Sequence, residues 1–319
     1  MNILITGAGL IGCHGAKRLL ESGHRVVLFD VSPNNGYIQD IIGEAKSLTV
    51  EAGDLRDLPA LITIIQAHGI DTVVHTAGLI GKKAAEQPYT GFTVNVQGSV
   101  HVAEAVSLLK VKRLIFLSSF GAYNWNVPAK APVTEDFPLG GAGLYGATKA
   151  ANEHLLGAFA DLYEFELIIL RPAGVFGRGH YRGGSTVGIV MNDLVAGAVR
   201  GDSVRILEAD LGTNEYVYVK DVAQAIERAC TVYSVKSRAF NVGTGVLASA
   251  QEIVQKVSEL IHGARVELVP PGAGEKVVRR IHPLDLSRSR AELGYKSDYS
   301  LERGLADYIQ ELRAHPGSN

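Results

Sequence analysis

Cysteine is scarce: Cys13 and Cys230 are the only two in 319 residues. Two cysteines so far apart build no disulfide framework and show no zinc-ligand spacing, so both read as small buried apolar residues. Charge of one sign is lacking as well. The chain carries 31 lysines and arginines against 33 acidic residues, a net charge of −2. Without a concentrated basic face, the composition argues against a nucleic-acid partner. Long hydrophobic runs are missing too. Stretches such as residues 167–170 have strand length, far short of the roughly 18 residues that read as a membrane span. With no charged leader or signal region before the first strand, a cytoplasmic protein with no membrane partner is expected. The whole chain is 46% hydrophobic and 20% charged, ordinary for a globular enzyme acting on a small molecule.

The N-terminal half alternates short, continuous apolar runs with longer amphipathic stretches. Residues 2–6, 24–30, 47–50, 71–75, 113–118 and 165–170 read as strands buried on both faces. Residues 10–22, 58–68, 92–109 and 144–163 between them are long enough for crossover helices. This rhythm predicts an α/β protein with a doubly wound parallel sheet. After Arg171-Pro172 the rhythm breaks. Residues 215–219 and 239–242 read as strands around a helix at 221–232, and residues 249–313 as helices around a strand at 265–270. The expected division is a cofactor-binding domain of residues 1–172 plus 215–243, closed over by a smaller C-terminal substrate-binding lobe of residues 173–214 plus 244–319.

Directly after the first strand stands Gly7-Ala8-Gly9-Leu10-Ile11-Gly12. A lone G-x-G-x-x-G is weak, but here a strand precedes it, a helix follows, and Asp30 ends the second strand. Gly7 permits the tight turn, Gly9 lets backbone N–H groups approach a pyrophosphate, and Gly12 allows close helix packing. The helix N-terminus adds partial positive charge. Asp30 can accept from the adenosine ribose hydroxyls and repels a 2′-phosphate, so NAD is favoured over NADP. Asp54-Leu55 after the third strand either borders the adenine or caps the next helix. Thr76-Ala77-Gly78, ending the fourth strand, is small enough for a cofactor to lie against, while His75 reads as a packed strand-end residue.

Tyr145 and Lys149 are spaced to share one helix face. A lysine charge about 5 Å from the phenol, at an effective dielectric near 20, favours phenolate by roughly 3 kcal/mol, about two pK units. A tyrosine so shifted can take the proton of a substrate alcohol while hydride leaves its carbon. Ser119, at the end of the fifth strand, would share the substrate oxygen.

With these pieces in place the chain resembles, along nearly its full length, the extended short-chain dehydrogenase/reductases of the NAD-dependent epimerase/dehydratase group. The matching segments include residues 6–12, 53–55, 75–78, 95–99, 117–119, 145–149, 171–172, 175–177, 216–223 and 241–243. The resemblance implies a Rossmann fold, a nicotinamide-ribose contact for Lys149, a supporting proton relay through Asn95, and Pro172 among the cofactor-lining residues. It also implies a homodimer through the helices at 92–109 and 144–163, which carry more apolar and small residues than one sheet-facing side needs.

Three departures narrow the function. The glycine loop is one residue shorter than the family's usual one, since Ala8 alone separates Gly7 from Gly9. Phe120-Gly121 stands where dehydratases carry an Asp-Glu pair, which argues against sugar dehydration. Gly174 and Asn214 occupy positions where nucleotide-sugar epimerases tend to carry an asparagine and an arginine for the substrate pyrophosphate, although Arg280 matches another family arginine. The expected activity is hydride transfer at a secondary alcohol of a sugar or sugar acid, with anion recognition by Lys82, Lys83, Arg178 or Arg182. The alternative is a nucleotide-sugar 4-epimerase with tightly held NAD. A dinucleotide-sensing regulator is the third reading, and an intact Ser119, Tyr145 and Lys149 speaks against it. Trp125 either walls the substrate pocket or packs in the core.

Overall fold

The first half of the chain winds strand by strand. β1 (Asn2–Thr6) leads to α1 (Leu10–Glu21), β2 (Arg25–Asp30), α2 (Asn35–Ile42), β3 (Leu48–Ala52), α3 (Leu58–Ala67) and β4 (Thr72–His75). Two short helices, α4 (Gly81–Glu86) and α5 (Pro88–Phe92), precede a π-helical turn at Thr93–Gln97, which runs into α6 (Gly98–Leu108). Then come β5 (Arg113–Leu117), α7 (Gly143–Tyr163) and β6 (Glu166–Pro172). The second half holds β7 (Gly174–Phe176), α8 (Thr186–Arg200), β8 (Ser203–Leu207), α9 (Glu208–Leu211), β9 (Thr213–Tyr218) and α10 (Val219–Thr231). It ends with β10 (Ala239–Val242), β11 (Leu247–Ser249), α11 (Ala250–Leu260), β12 (Arg265–Val269) and α12 (Leu301–Ala314). This computed structural model describes residues 1–179, 184–272 and 282–315 and, at Lys82, the backbone alone.

Seven strands form one all-parallel sheet in the order β10-β6-β5-β4-β1-β2-β3. The chain reverses direction between β1 and β4, which opens a crevice at the carboxyl edge beside both strands. Every residue of β5 is buried, and so is all of β1 after Asn2. That is why these strands read as unbroken apolar runs rather than alternating ones. One apolar core fills each face of the sheet, and a third joins α8, α11 and α12 to the small strands. Each fully buried aliphatic side chain there contributes about 1.5–3 kcal/mol.

The strand expected at 215–219 spans Thr213–Tyr218 and pairs with β7 and β11, not with the large sheet. The chain rejoins the large layer at α10, which packs along α1, and at β10, which pairs with β6. β8 and β12 make a separate parallel pair. The helix α2 lies between β2 and β3, where no helix was expected. The Asn34 side chain accepts from the N–H of Tyr37 and so caps the helix, a contact worth about 1 kcal/mol. No described helix is long and apolar enough to cross a membrane.

Candidate active site

The glycine loop closes the end of β1. Gly7 has φ +90° and donates its N–H to the Phe29 carbonyl at 2.7 Å. A Cβ on Gly7 would meet the Ala77 Cα at 2.8 Å, and one on Gly12 would stand 1.9 Å from the Gly7 carbonyl oxygen. Gly9 differs: a Cβ there would meet nothing within 4 Å, because the position faces open space. No side chain caps the N-terminus of α1, whereas Asp57, Ser185, Ser249 and Ser300 cap α3, α8, α11 and α12. The first N–H groups of α1, including those of Leu10 and Ile11, are therefore left to an external acceptor.

Around this cradle the structure gathers the other expected cofactor residues. The Asp30 carboxylate accepts from the Ala8 N–H at 2.8 Å and from the Ser32 N–H at 2.9 Å. It is thus braced against the loop while keeping lone pairs for ribose hydroxyls. Thr76 Oγ1 donates to the Thr6 carbonyl at 2.7 Å, which locks the end of β4 beside β1. Thr76-Ala77-Gly78 forms the wall under the crevice, and Pro172 closes β6 two strands away. Leu55 is buried against Gly98. The Asp54 carboxylate is held by Arg56 through contacts of 2.5–3.0 Å, while Asp57 is the residue that caps α3. An uncapped helix end, an open glycine and a braced carboxylate at the sheet's switch point fit a dinucleotide.

Ser119 lies just past β5 in extended conformation, and its Oγ accepts from the Gly121 N–H at 3.0 Å. Burial pushes the pKa of the Tyr145 phenol up to about 12, and the neighbouring Ser119 hydroxyl works against that by lowering it. One turn along α7, the Lys149 ammonium donates to the Leu117 carbonyl at 2.6 Å and lies 4.6 Å above the Phe116 ring. Burial brings Lys149 down to about 8. The lysine-driven lowering of the tyrosine expected from spacing is therefore overridden here, because desolvation outweighs it at the half-buried phenol and the buried ammonium turns toward Leu117. Desolvation dominates each.

Asn95 sits in the π-helical turn, a distortion common at functional sites. Its Oδ1 accepts from the Leu79 N–H at 2.7 Å, and its Nδ2 donates to the Leu79 carbonyl at 2.8 Å. A weaker contact of 3.3 Å reaches Thr148 Oγ1, beside Lys149. The side chain thus clamps the loop after β4 to α7. His75 behind it is fully buried between Thr6 Oγ1 and Ser99 Oγ, and burial lowers its pKa to about 3.

Several residues singled out for the substrate have protein partners of their own. Arg178 binds Asp40 on α2 at 2.5 Å, so its charge is committed. Trp125 donates to the Phe120 carbonyl at 3.0 Å and packs edge-on against Tyr123 and Phe120. Gly174 lies opposite Tyr216, and a Cβ there would stand 3.1 Å from the Glu215 carbonyl. The Asn214 Oδ1 accepts from the Glu215 N–H at 3.1 Å. Arg182, Arg280 and the side chain of Lys82 lie outside the described residues. Sequence reasoning missed Glu153 and Arg171 as a pair. They meet in a buried ion pair, with Glu153 one helical turn after Lys149, and the spacing Tyr145, Lys149, Glu153 was the available signal.

Residues 3–243 match the model of the NAD dependent epimerase/dehydratase family. A UDP-glucose 4-epimerase of Mycolicibacterium smegmatis is 31% identical, over 98% of this chain and 99% of that one. One from Bacillus subtilis is also 31% identical, over 96% and 95%. Among solved structures, UDP-glucose 4-epimerase of Thermotoga maritima with UDP-glucose has a TM-score of 0.85 at 27% identity, covering 98% of this chain and 99% of that one. MoeE5 in complex with UDP-glucuronic acid and NAD has a TM-score of 0.83 at 28% identity, covering 98% and 99%.

Proposed function

The chain belongs to the NAD-dependent epimerase/dehydratase family, and from that premise we propose that it oxidises a secondary alcohol of a small polyhydroxylated substrate, a sugar or sugar acid. What supports this reading is Ser119, just past β5, with a hydroxyl that acts on the Tyr145 phenol, at the same carboxyl edge of the sheet as the open Gly9. Gly7, Gly9, Leu10, Ile11 and Gly12 would hold the pyrophosphate of NAD and Asp30 its adenosine ribose. Asp54, Leu55, Thr76, Ala77, Gly78 and Pro172 would line the remaining walls. When bound, NAD supplies a hydride acceptor and a positive ring. In this scheme Tyr145 takes the alcohol proton, Ser119 shares the same oxygen, Lys149 lends positive charge to both, and Asn95 keeps the loop after β4 in place. The two parts of the chain divide the work: residues 1–172 with 215–243 bind the cofactor, and residues 173–214 with 244–319 bind the substrate.

Gly174 and Asn214 favour a substrate without a diphosphate, because neither brings a charge to it and a buried diphosphate needs charged partners. A second reading, a nucleotide-sugar 4-epimerase that returns the hydride to the opposite face, draws on the full-length likeness to UDP-glucose 4-epimerases. Calorimetry with UDP and UDP-glucose separates the two, alongside NADH absorbance and product NMR over a panel of sugars and sugar acids. Net NADH release with a free sugar or sugar acid and no UDP binding is expected. Micromolar UDP binding with a 4-epimer as product would replace the first reading by the second. We further infer a homodimer through α6 and α7, and a cytoplasmic setting consistent with two buried free thiols.

A further inference from the structure

Tyr145, Lys149 and Glu153 follow one another at four-residue intervals on a single face of α7. The Glu153 carboxylate is enclosed and saturated with donors. Its Oε1 accepts from the Ser118 hydroxyl and from Arg171 Nε at 3.0 Å, and its Oε2 from Arg171 Nη2 at 2.5 Å. Arg171, from β6, is itself fastened by Nη1 bonds to the Tyr123 hydroxyl at 3.0 Å and the Glu135 carbonyl at 2.7 Å. The side chains of Glu153 and Arg171 are 3% and 5% exposed. A buried ion pair of this kind is no more stabilising than well-packed apolar residues in the same space. Stability alone therefore does not account for charges placed here.

What lies next to the pair does account for them. The ionisable groups around Lys149 are Tyr145 and Glu153 on its own helix, His75 on β4 and, beyond Glu153, Arg171 on β6. His75 is buried and neutral, and Tyr145 keeps its proton, so Glu153, one turn further along the same face of α7, is the carboxylate that acts on the ammonium. Burial alone drives Lys149 toward the uncharged amine, and Glu153 opposes that. We propose that Glu153 is a positioning residue that holds the Lys149 ammonium in its charged form, and that Arg171 and Ser118 in turn hold the Glu153 carboxylate in place. The inference rests on the reading above, in which Lys149 works as a cation. It adds a buried Arg–Glu–Lys charge row, running from β6 to the crevice, as the source of that charge.

The test is direct titration of the Lys149 ammonium by NMR on lysine-labelled protein, assigned with Lys149→Arg. It needs no turnover, so it stands apart from any assay of hydride transfer. In the unaltered protein Lys149 should titrate near about 8. Glu153→Gln keeps the shape and leaves Arg171 as the uncompensated neighbour, so the midpoint should fall by at least about one pH unit. Arg171→Met leaves the carboxylate facing Lys149 alone, and the midpoint should rise. A merely structural role would move both variants the same way or neither. Should a single variant not fold, Glu153→Gln combined with Arg171→Met leaves no unpaired charge and should still titrate below the unaltered protein, because the carboxylate is the charge that acts on Lys149. An unchanged midpoint in the double variant, or shifts of one sign in the two singles, would overturn the proposal.

Discussion

The Lys149 ammonium donates to the Leu117 carbonyl across 2.6 Å and stands 5.8 Å from the centre of the Tyr145 ring. The lysine is thus anchored to the end of β5, and the phenol beside it stays protonated, its pKa pushed up to about 12 by burial. Forming the phenolate requires additional positive charge in the crevice. Binding of oxidised NAD should therefore release protons and tighten as pH rises toward the tyrosine range. Calorimetry in buffers of different ionisation enthalpy reads the proton count. Tyr145→Phe should abolish the tyrosine-linked part of that release and lower kcat at least about a hundredfold, with thermal unfolding unchanged. Turnover near that of the unaltered chain would point to another base.

Asp30 faces two ways, bracing the Ala8 N–H and awaiting a ribose. NAD should bind more than about tenfold tighter than NADP, since a 2′-phosphate would meet a carboxylate. Asp30→Ser should narrow that ratio mainly by weakening NAD. Fluorescence titration with both dinucleotides gives the answer, and equal affinities for the unaltered chain would contradict it.

His14 and His75 are buried uncharged, lowered by burial to about 4 and about 3. The unfolded chain takes up protons on both near pH 6.5 while the folded chain does not. Their contribution is intact above that pH and is lost as pH falls toward their folded values. At pH 5 each imidazole should lower stability by about 2 kcal/mol relative to pH 8. Urea unfolding at the two pH values measures the sum, and His75→Gln should flatten part of the slope.

The outer side of α6 and α7 leaves Leu108, Leu155, Leu162 and Tyr163 exposed, with Leu162 at 71%. Such a cluster is what a helix-pair interface covers. Light scattering at micromolar concentration should give twice the chain mass, and Leu162→Glu with Leu155→Glu should give a monomer. A monomer before substitution would remove the inferred dimer.

The large sheet was legible because β1, β4, β5 and β6 are buried on both faces and leave continuous apolar runs. The short strands β7 and β11, of three residues each, and the exposed β8 leave no such trace. Ser119, Tyr145 and Lys149 could be read as a set because strand ends and helix spacing bring them to one edge. Glu153 shares that helix spacing, but its pairing with Arg171 could not be read, since an acid on a helix and an arginine in a strand acquire meaning as a pair only once β6 packs under α7. Arg178 misled for the opposite reason: a basic loop residue reads as free, and the fold gives it to Asp40.

Trp125 is the single tryptophan of the chain, fixed by its bond to the Phe120 carbonyl six residues past Ser119. The molecule therefore carries one indole in one environment, packed against Phe120, the residue that follows Ser119 in the chain. Its emission overlaps the absorption of reduced nicotinamide, so occupancy and redox state of the crevice become an optical signal without any label. A quenched indole that recovers as NADH is oxidised would let the lifetime of the reduced state be followed in real time, and that lifetime distinguishes a hydride handed back from one released.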